Sequence, residues 1–184
     1  MSNQTKKALF SAFIIFLILL IDQVSKYLVK ANLYLGEELY IFSWFRIHFL
    51  ENEGMAFGMS FFDKKYLTLF RIVASGLLLW YLIHCIKKNE SLLLLSCLAL
   101  IFAGAFGNII DCIFYGQIYG YAPIFYGKVV DMLYFPLIEG RFWSWIPYFG
   151  GESFIFFSPV FNIADSAICI GVALLLIFER RIFK

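Results

Sequence analysis

The chain has 184 residues, of which 62% are apolar, 21% aromatic and 15% charged. So few charged side chains cannot clothe a water-soluble globule, in which about a quarter of residues carry charge. A net charge of +2 supplies no field that would gather nucleic acid or any other polyanion. The length allows one domain, and the long apolar runs with few prolines point to a single integral membrane unit over residues 1–184, all-α in class.

Four segments reach the roughly 20 mostly apolar residues that a transmembrane helix needs. In chain order they are about residues 8–28, 66–86, 92–114 and 158–178. Lys6 and Lys7 before the first run resemble the start of a signal peptide, but no small-x-small cleavage site follows and Asp22 interrupts the run, so it reads as a retained span. Between the first two spans, Tyr40 to Leu50 reads YIFSWFRIHFL, rich in β-formers, and predicts a short strand or ribbon along the membrane surface. Turn residues Asn52, Gly54 and Gly58 follow it. Between the third and fourth spans lies a long insert rich in aromatics, including Trp143, Trp145 and Tyr148, and divided by glycine and proline into brief elements. Amphipathic rings of this kind settle at headgroup depth.

Basic residues next to the spans set orientation. They are densest in the N-terminal tail (Lys6, Lys7), the turn at Lys87 and Lys88, and the C-terminal tail (Arg180, Arg181, Lys184). Both termini are therefore expected in the cytoplasm, with the two aromatic-rich connections on the far side of the membrane. Cys85, Cys97, Cys112 and Cys169 show no paired spacing and read as small packing residues. His48 and His84 have no HExxH companion, so no metal and no cofactor is expected. Ser75-Gly76 lacks the context of a serine nucleophile.

Ionisable groups inside spans are costly and mark candidate sites. Asp22, Asn108, Asp111, Asn162 and Asp165, on three different spans, all fall within about 10 Å of the outer edge of a hydrocarbon core about 30 Å thick. Asn108-Ile-Ile-Asp111 and Asn162-Ile-Ala-Asp165 each set an amide three residues before a carboxyl, on one helix face. Asp131 stands in the strand-like run Val129 to Leu133 outside the spans and is a candidate to face the same cleft. Bland alternatives exist. Asp22 and Lys26, four apart, can simply neutralise each other, and Asp111 can anchor a neighbouring loop. Asp165 has no basic residue within a helical turn. A proton- or cation-coupled transporter would also bury carboxyls at one depth, but it needs polar groups in the cytoplasmic half as well. That half offers little beyond Arg71, His84, Ser96 and Ser166, which lie near span ends or singly. A purely structural adaptor would need no such convergence.

The residues also carry a family resemblance. Asp22-Gln23-x-x-Lys26, Asn52-Glu53-Gly54-Met55-Ala56-Phe57, Ala103 through Asp111, Val129-Val130-Asp131-Met132 and Phe161 through Ser166 follow one another in an order similar to that of bacterial lipoprotein signal peptidases, or signal peptidase II. The resemblance implies four transmembrane helices with a small β-rich periplasmic element, in the inner membrane, with the active site near the periplasmic face. It implies an aspartic endopeptidase, acting as a monomer among membrane lipids, that cuts prolipoproteins just before their lipidated cysteine. Carried over by motif, Asp131 and Asp165 are the catalytic pair, with Asn162, Asn108 and Asp111 supporting it. Asp22, Gln23, Lys26, Asn52 and Gly54 help build the site or hold substrate. The chain departs from the family pattern in three places. Cys112 stands where arginine is usual, Met132 where phenylalanine is usual, and the intervals of 20 residues from Asp111 to Asp131 and 34 from Asp131 to Asp165 are long.

Peptide hydrolysis by two carboxyls has a simple physical basis. One takes a proton from water, the other gives one to the departing nitrogen, and like charges in a poorly hydrated site share a single proton.

Overall fold

The computed structural model describes residues 1–53, 63–156 and 159–182. In chain order the elements are α1 (Asn3–Asn32), β1 (Glu38–Phe42), β2 (Phe45–Asn52), α2 (Lys64–Lys87) and α3 (Leu92–Ile110). A π-helical turn (Asp111–Tyr115) and a short α4 (Gly116–Ile118) continue α3. Then come β3 (Val129–Tyr134), β4 (Ile138–Arg141), β5 (Ser153–Phe156), β6 (Val160–Phe161), α5 (Ile163–Ile177) and α6 (Glu179–Ile182). The chain is thus mostly helical with a small amount of antiparallel sheet. Three helices, α1, α2 and α3 with its continuation, are long and apolar enough to cross a membrane, and α5 is a shorter apolar helix.

Polar side chains start the helices where sequence chemistry expects caps. Ser2 Oγ accepts from Thr5 N, Asp63 from Lys65 N and Ser91 Oγ from Leu94 N, each satisfying an otherwise orphaned donor. Helix α3 is the axis of the bundle and packs against α1, α2 and α5. Its apolar window is 56% buried, against 11% for α1 and 17% for α2, whose outer faces leave rings such as Phe13, Phe16 and Trp80 uncovered. Uncovered apolar faces on three-turn or longer helices suit lipid.

Small residues let α3 and α5 approach closely, the usual device where bilayer tails provide no hydrophobic drive between helices. A Cβ on Gly104 would lie 2.2 Å from the Ala164 carbonyl oxygen, and one on Gly171 would lie 2.9 Å from the Cys97 carbonyl oxygen. Cys97 itself is fully buried in the cluster with Leu82, Leu94, Leu95 and Leu98.

The run expected to form a short strand or ribbon along the surface is a two-stranded hairpin. β1 and β2 pair antiparallel around Ser43 and Trp44, with Glu38 opposite His48. β3 pairs with β2, placing Asp131 opposite Leu50, and β6 completes a four-stranded sheet in the order β1-β2-β3-β6. The sheet caps the end of the bundle where α1 and α3 finish and α2 and α5 start. Lys30 of α1 joins it to the body through an ion pair with Glu51 and lies 4.4 Å from the centre of the Tyr119 ring. Under β3, Val130 and Met132 bury against Val29, Phe49 and Tyr115. β4 and β5 form a separate hairpin bearing the exposed Trp143, Trp145 and Tyr148 in its loop.

Helix α5 starts later than the apolar run predicts. Residues 160–161 are drawn into the sheet as β6, so the helix begins at Ile163. Asn162 is consequently the cap of α5 and does not lie on its face.

Candidate active site

Asp131 sits in the middle of β3 and is 3% exposed. Strand alternation puts its side chain on the same face as Leu50 opposite and Asn52 diagonally. Asn52 Nδ2 donates to Asp131 Oδ2 at 3.0 Å. From the other side Asn162 Nδ2 donates to Asp131 Oδ1 at 2.7 Å.

Asn162 ties this strand to α5. Its Oδ1 accepts from Asp165 N at 2.9 Å while Asp165 Oδ2 accepts from Asn162 N at 3.3 Å, a reciprocal capping box. The same amide nitrogen also reaches the Val130 carbonyl at 3.2 Å and Asn108 Oδ1 at 3.1 Å. Asp165 Oδ1 accepts from Asn108 Nδ2 at 2.8 Å. The two carboxylates are therefore linked through Asn162, and each is held by amides from two separate elements.

Burial drives the Asp131 carboxyl up from 3.8 to about 6. The donors Asn52 and Asn162 oppose that rise, and the neighbouring charge of Asp165 adds to it. These are the conditions under which one of two facing carboxyls keeps a proton near neutral pH.

Behind the cleft lies a second polar cluster. Lys26 is fully buried, and its ammonium donates to Asp111 Oδ2 at 2.7 Å, Asp22 Oδ2 at 2.9 Å and Asn108 Oδ1 at 3.0 Å. All three of its protons are thereby used. Gln23 Nε2 donates to Asp22 Oδ2 and Asp111 Oδ1, both at 3.0 Å, and Gln23 Oε1 accepts from Tyr115 at 3.2 Å. Asp22 Oδ1 accepts from Ala164 N at 2.9 Å and Asp111 Oδ2 from Val130 N at 3.4 Å. The cluster thus fastens α1 to the start of α5 and α3 to β3. Removing one member of such a buried charge set typically costs about 3–5 kcal/mol. Asp22, Lys26, Gln23 and Asp111 hold the frame, while Asn108 belongs to both clusters.

Of the residues expected from sequence, Asp22, Gln23, Lys26, Asn52, Asn108, Asp111, Asp131, Asn162 and Asp165 form this connected network. Gly54 lies outside the described residues. Two expectations need correction. Asn162 and Asp165 do not share a helix face, because the strand β6 ends the preceding segment and turns Asn162 into a cap. Arg71 and Ser166 do not belong to the half of the bundle away from the site. Ser166 Oγ donates to the Asn162 carbonyl at 2.8 Å, and Arg71 lines the same cavity as Asn108 and Asp165. Arg71 Nη1 donates to Cys112 Sγ at 3.2 Å, so a guanidinium from α2 stands beside the position where the chain carries cysteine. Nothing in the α2 pattern distinguishes this arginine; only its neighbour across the helix interface does.

The chain resembles known proteins over almost its whole length. The family model described as Signal peptidase (SPase) II matches residues 14–180. A lipoprotein signal peptidase of Porphyromonas gingivalis is 51% identical, covering 92% of this chain and 82% of that protein. One of Amoebophilus asiaticus is 42% identical, covering 89% and 75%. A solved bacterial membrane enzyme, determined by the in meso method at 1.9 Å resolution, superposes with a TM-score of 0.64 at 27% identity, covering 91% of this chain and 90% of that one. With a family model matched over residues 14–180 and a relative 51% identical over 92% of the chain, the protein belongs to the signal peptidase II family.

Proposed function

We propose that this inner-membrane protein is an aspartic endopeptidase that removes the signal peptide of diacylglyceryl-modified prolipoproteins, cutting on the N-terminal side of the lipidated cysteine. Family membership supports the reaction, and it takes away the ground for ion-coupled transport. The observation that carries the assignment of roles is the Asn162 bridge, which bonds to Asp131 through its amide nitrogen and to the backbone of Asp165 through its amide oxygen.

In this reading Asp131 and Asp165 share one proton and hold a water between them. The ionised carboxyl takes a proton from that water as it attacks the scissile carbonyl, and the protonated one donates to the departing amine. The pair titrates as a unit. Asn52 and Asn108 keep the outer oxygens fixed, so that neither acid rotates away as charge shifts between them.

The cleft lies at the periplasmic face with both termini in the cytoplasm. Supporting this, Lys7 Nζ bonds to the carbonyls of Asn89 and Glu90 at 2.8 and 2.7 Å, gathering the basic N-terminal tail and the Lys87-Lys88 turn at the end away from the sheet. The enzyme works as a monomer among membrane lipids, and its substrate reaches the site laterally, with acyl chains still in the bilayer.

The test is cleavage of purified lipidated prolipoprotein by Asp131→Asn and Asp165→Asn enzymes in detergent micelles. Each substitution is expected to lower turnover by at least a thousandfold while the protein still purifies and melts cooperatively. Turnover near that of the wild type in either variant removes that residue from the pair.

A further inference from the structure

A cavity of about 410 Å³ opens between α2, α3 and α5. Its wall is graded along every helix. On α3, Asn108 stands at the sheet end, with Ala105 and then Ile101 successively deeper. On α5, Asp165 is followed one turn deeper by Ile168. On α2, which runs the same way as α5, Arg71 comes first, Ser75 a turn deeper and Leu78 deeper still. A polar mouth with carboxylate, amide and guanidinium thus leads down to an aliphatic floor. This is the gradient of a lipid's glycerol region running into its acyl chains.

Arg71 and Ser75 stand four residues apart and so project from one face of α2, about 6 Å apart. The Ser75 hydroxyl is 5% exposed and has no hydrogen-bond partner among the described residues. A buried, unsatisfied hydroxyl costs about 1–3 kcal/mol, a cost that a ligand acceptor would relieve. Next to it, the guanidinium carries five N–H donors in a fixed plane. Two donor groups beside the Asn108 and Asp165 mouth, above a floor of Leu78, Ile101 and Ile168, call for a ligand with acceptor oxygens and long hydrocarbon. An unlipidated cysteine side chain carries no such oxygens.

We infer that Arg71 and Ser75 form the subsite that recognises the ester carbonyl oxygens of the substrate's diacylglyceryl group. They distinguish a lipidated cysteine from an unlipidated one, a choice that burial in the bilayer does not make, because both substrates carry an apolar signal helix. This rests on the reading that substrate is cut between Asp131 and Asp165, since Asp165 and Asn108 share the cavity wall with Arg71 and Ser75. Cys112, fully buried, accepts from Arg71 Nη1 and holds that edge of the guanidinium. Arg71 and Ser75 are specificity residues; the bond-breaking steps remain with the aspartates.

The experiment uses one prolipoprotein sequence carrying either a diacylglyceryl group or the matching dialkyl ether, which keeps the chains and lacks the carbonyls. Wild-type enzyme is expected to show a KM about tenfold lower for the ester, the size of one or two hydrogen bonds to ester oxygens. Arg71→Leu and Ser75→Ala should each raise KM for the ester and bring the two substrates toward equality, with kcat changing less than KM. Arg71→Lys should keep part of the preference. Ser75→Ala removes only an unpartnered hydroxyl, so it folds even where Arg71→Leu does not.

A wild-type enzyme indifferent to ester and ether overturns the inference. So does a KM that rises equally for both substrates in the variants, which marks a merely structural role. Failure of the aspartate assignment would appear separately, as cleavage retained by Asp131→Asn or Asp165→Asn.

Discussion

Asp131 illustrates how a single carboxyl couples stability to chemistry. Its pKa rises from 3.8 to about 6 in the folded protein, chiefly through burial, so between those values the folded state binds more protons than the unfolded one. The stabilisation is complete below pH 3.8 and is lost as pH climbs to about 6. Comparing thermal unfolding of wild type and Asp131→Asn at pH 4 and at pH 7 should therefore show the balance moving toward the variant by up to about 3 kcal/mol at the higher pH. A constant difference would show that Asp131 does not titrate abnormally. Asp131, Asp165 and their amides were legible in the sequence because carboxyls and amides among apolar residues are conspicuous. Asn162 was legible as a participant and not as a cap, because the motif looks the same whether its first residue lies inside a helix or just before one. Arg71 was misplaced in depth although counting from residue 66 already puts it in the outer half of its span; what was not legible is that it lines the cavity with Asn108 and Asp165, since hydropathy carries no information about which neighbour a residue meets.

Among the elements, the crossing of α3 and α5 sets the spacing of the site, because Asn108 and Asp165 hang from these two helices. Gly104 lies directly under the carbonyl of Ala164, the residue whose N–H donates to Asp22. Gly104→Ala should destabilise by about 1–3 kcal/mol through overpacking and lower turnover by shifting Asp165. Gly76→Ala, where an added Cβ meets nothing within 4 Å, should gain up to about 1 kcal/mol from helix propensity and leave turnover alone. Melting curves and cleavage rates on both variants check this, and equal melting points would deny the close approach. The helices themselves were legible from apolar run length. Two boundaries were not. The β1–β2 turn at Ser43-Trp44 carries neither glycine nor proline to announce it, and the withdrawal of residues 160–161 into the sheet depends on β3, which is far away in sequence.

For the whole molecule, the sheet supplies Asp131, the helix bundle supplies Asp165, and the β4–β5 hairpin stands outside both. The β4–β5 hairpin pairs only with itself among the described strands, and Trp143, Trp145 and Tyr148 in its loop are 69%, 72% and 97% exposed. Shortening residues 143–151 to a minimal turn should raise KM for lipidated substrate severalfold while leaving the melting point nearly unchanged, because exposed rings contribute little to folding. An unaltered KM would exclude the hairpin from substrate handling. The long reach of the network also bears on biosynthesis. Ala164 N meets Asp22 across 142 residues, and Asp131 gains its Asn162 donor only after β6 and α5 exist. A nascent chain whose first three helices have already entered the bilayer therefore has no functioning cleft. No proteolytic power therefore appears until residues 160–165 have been made, so the partly made chain is inert while its first helices insert.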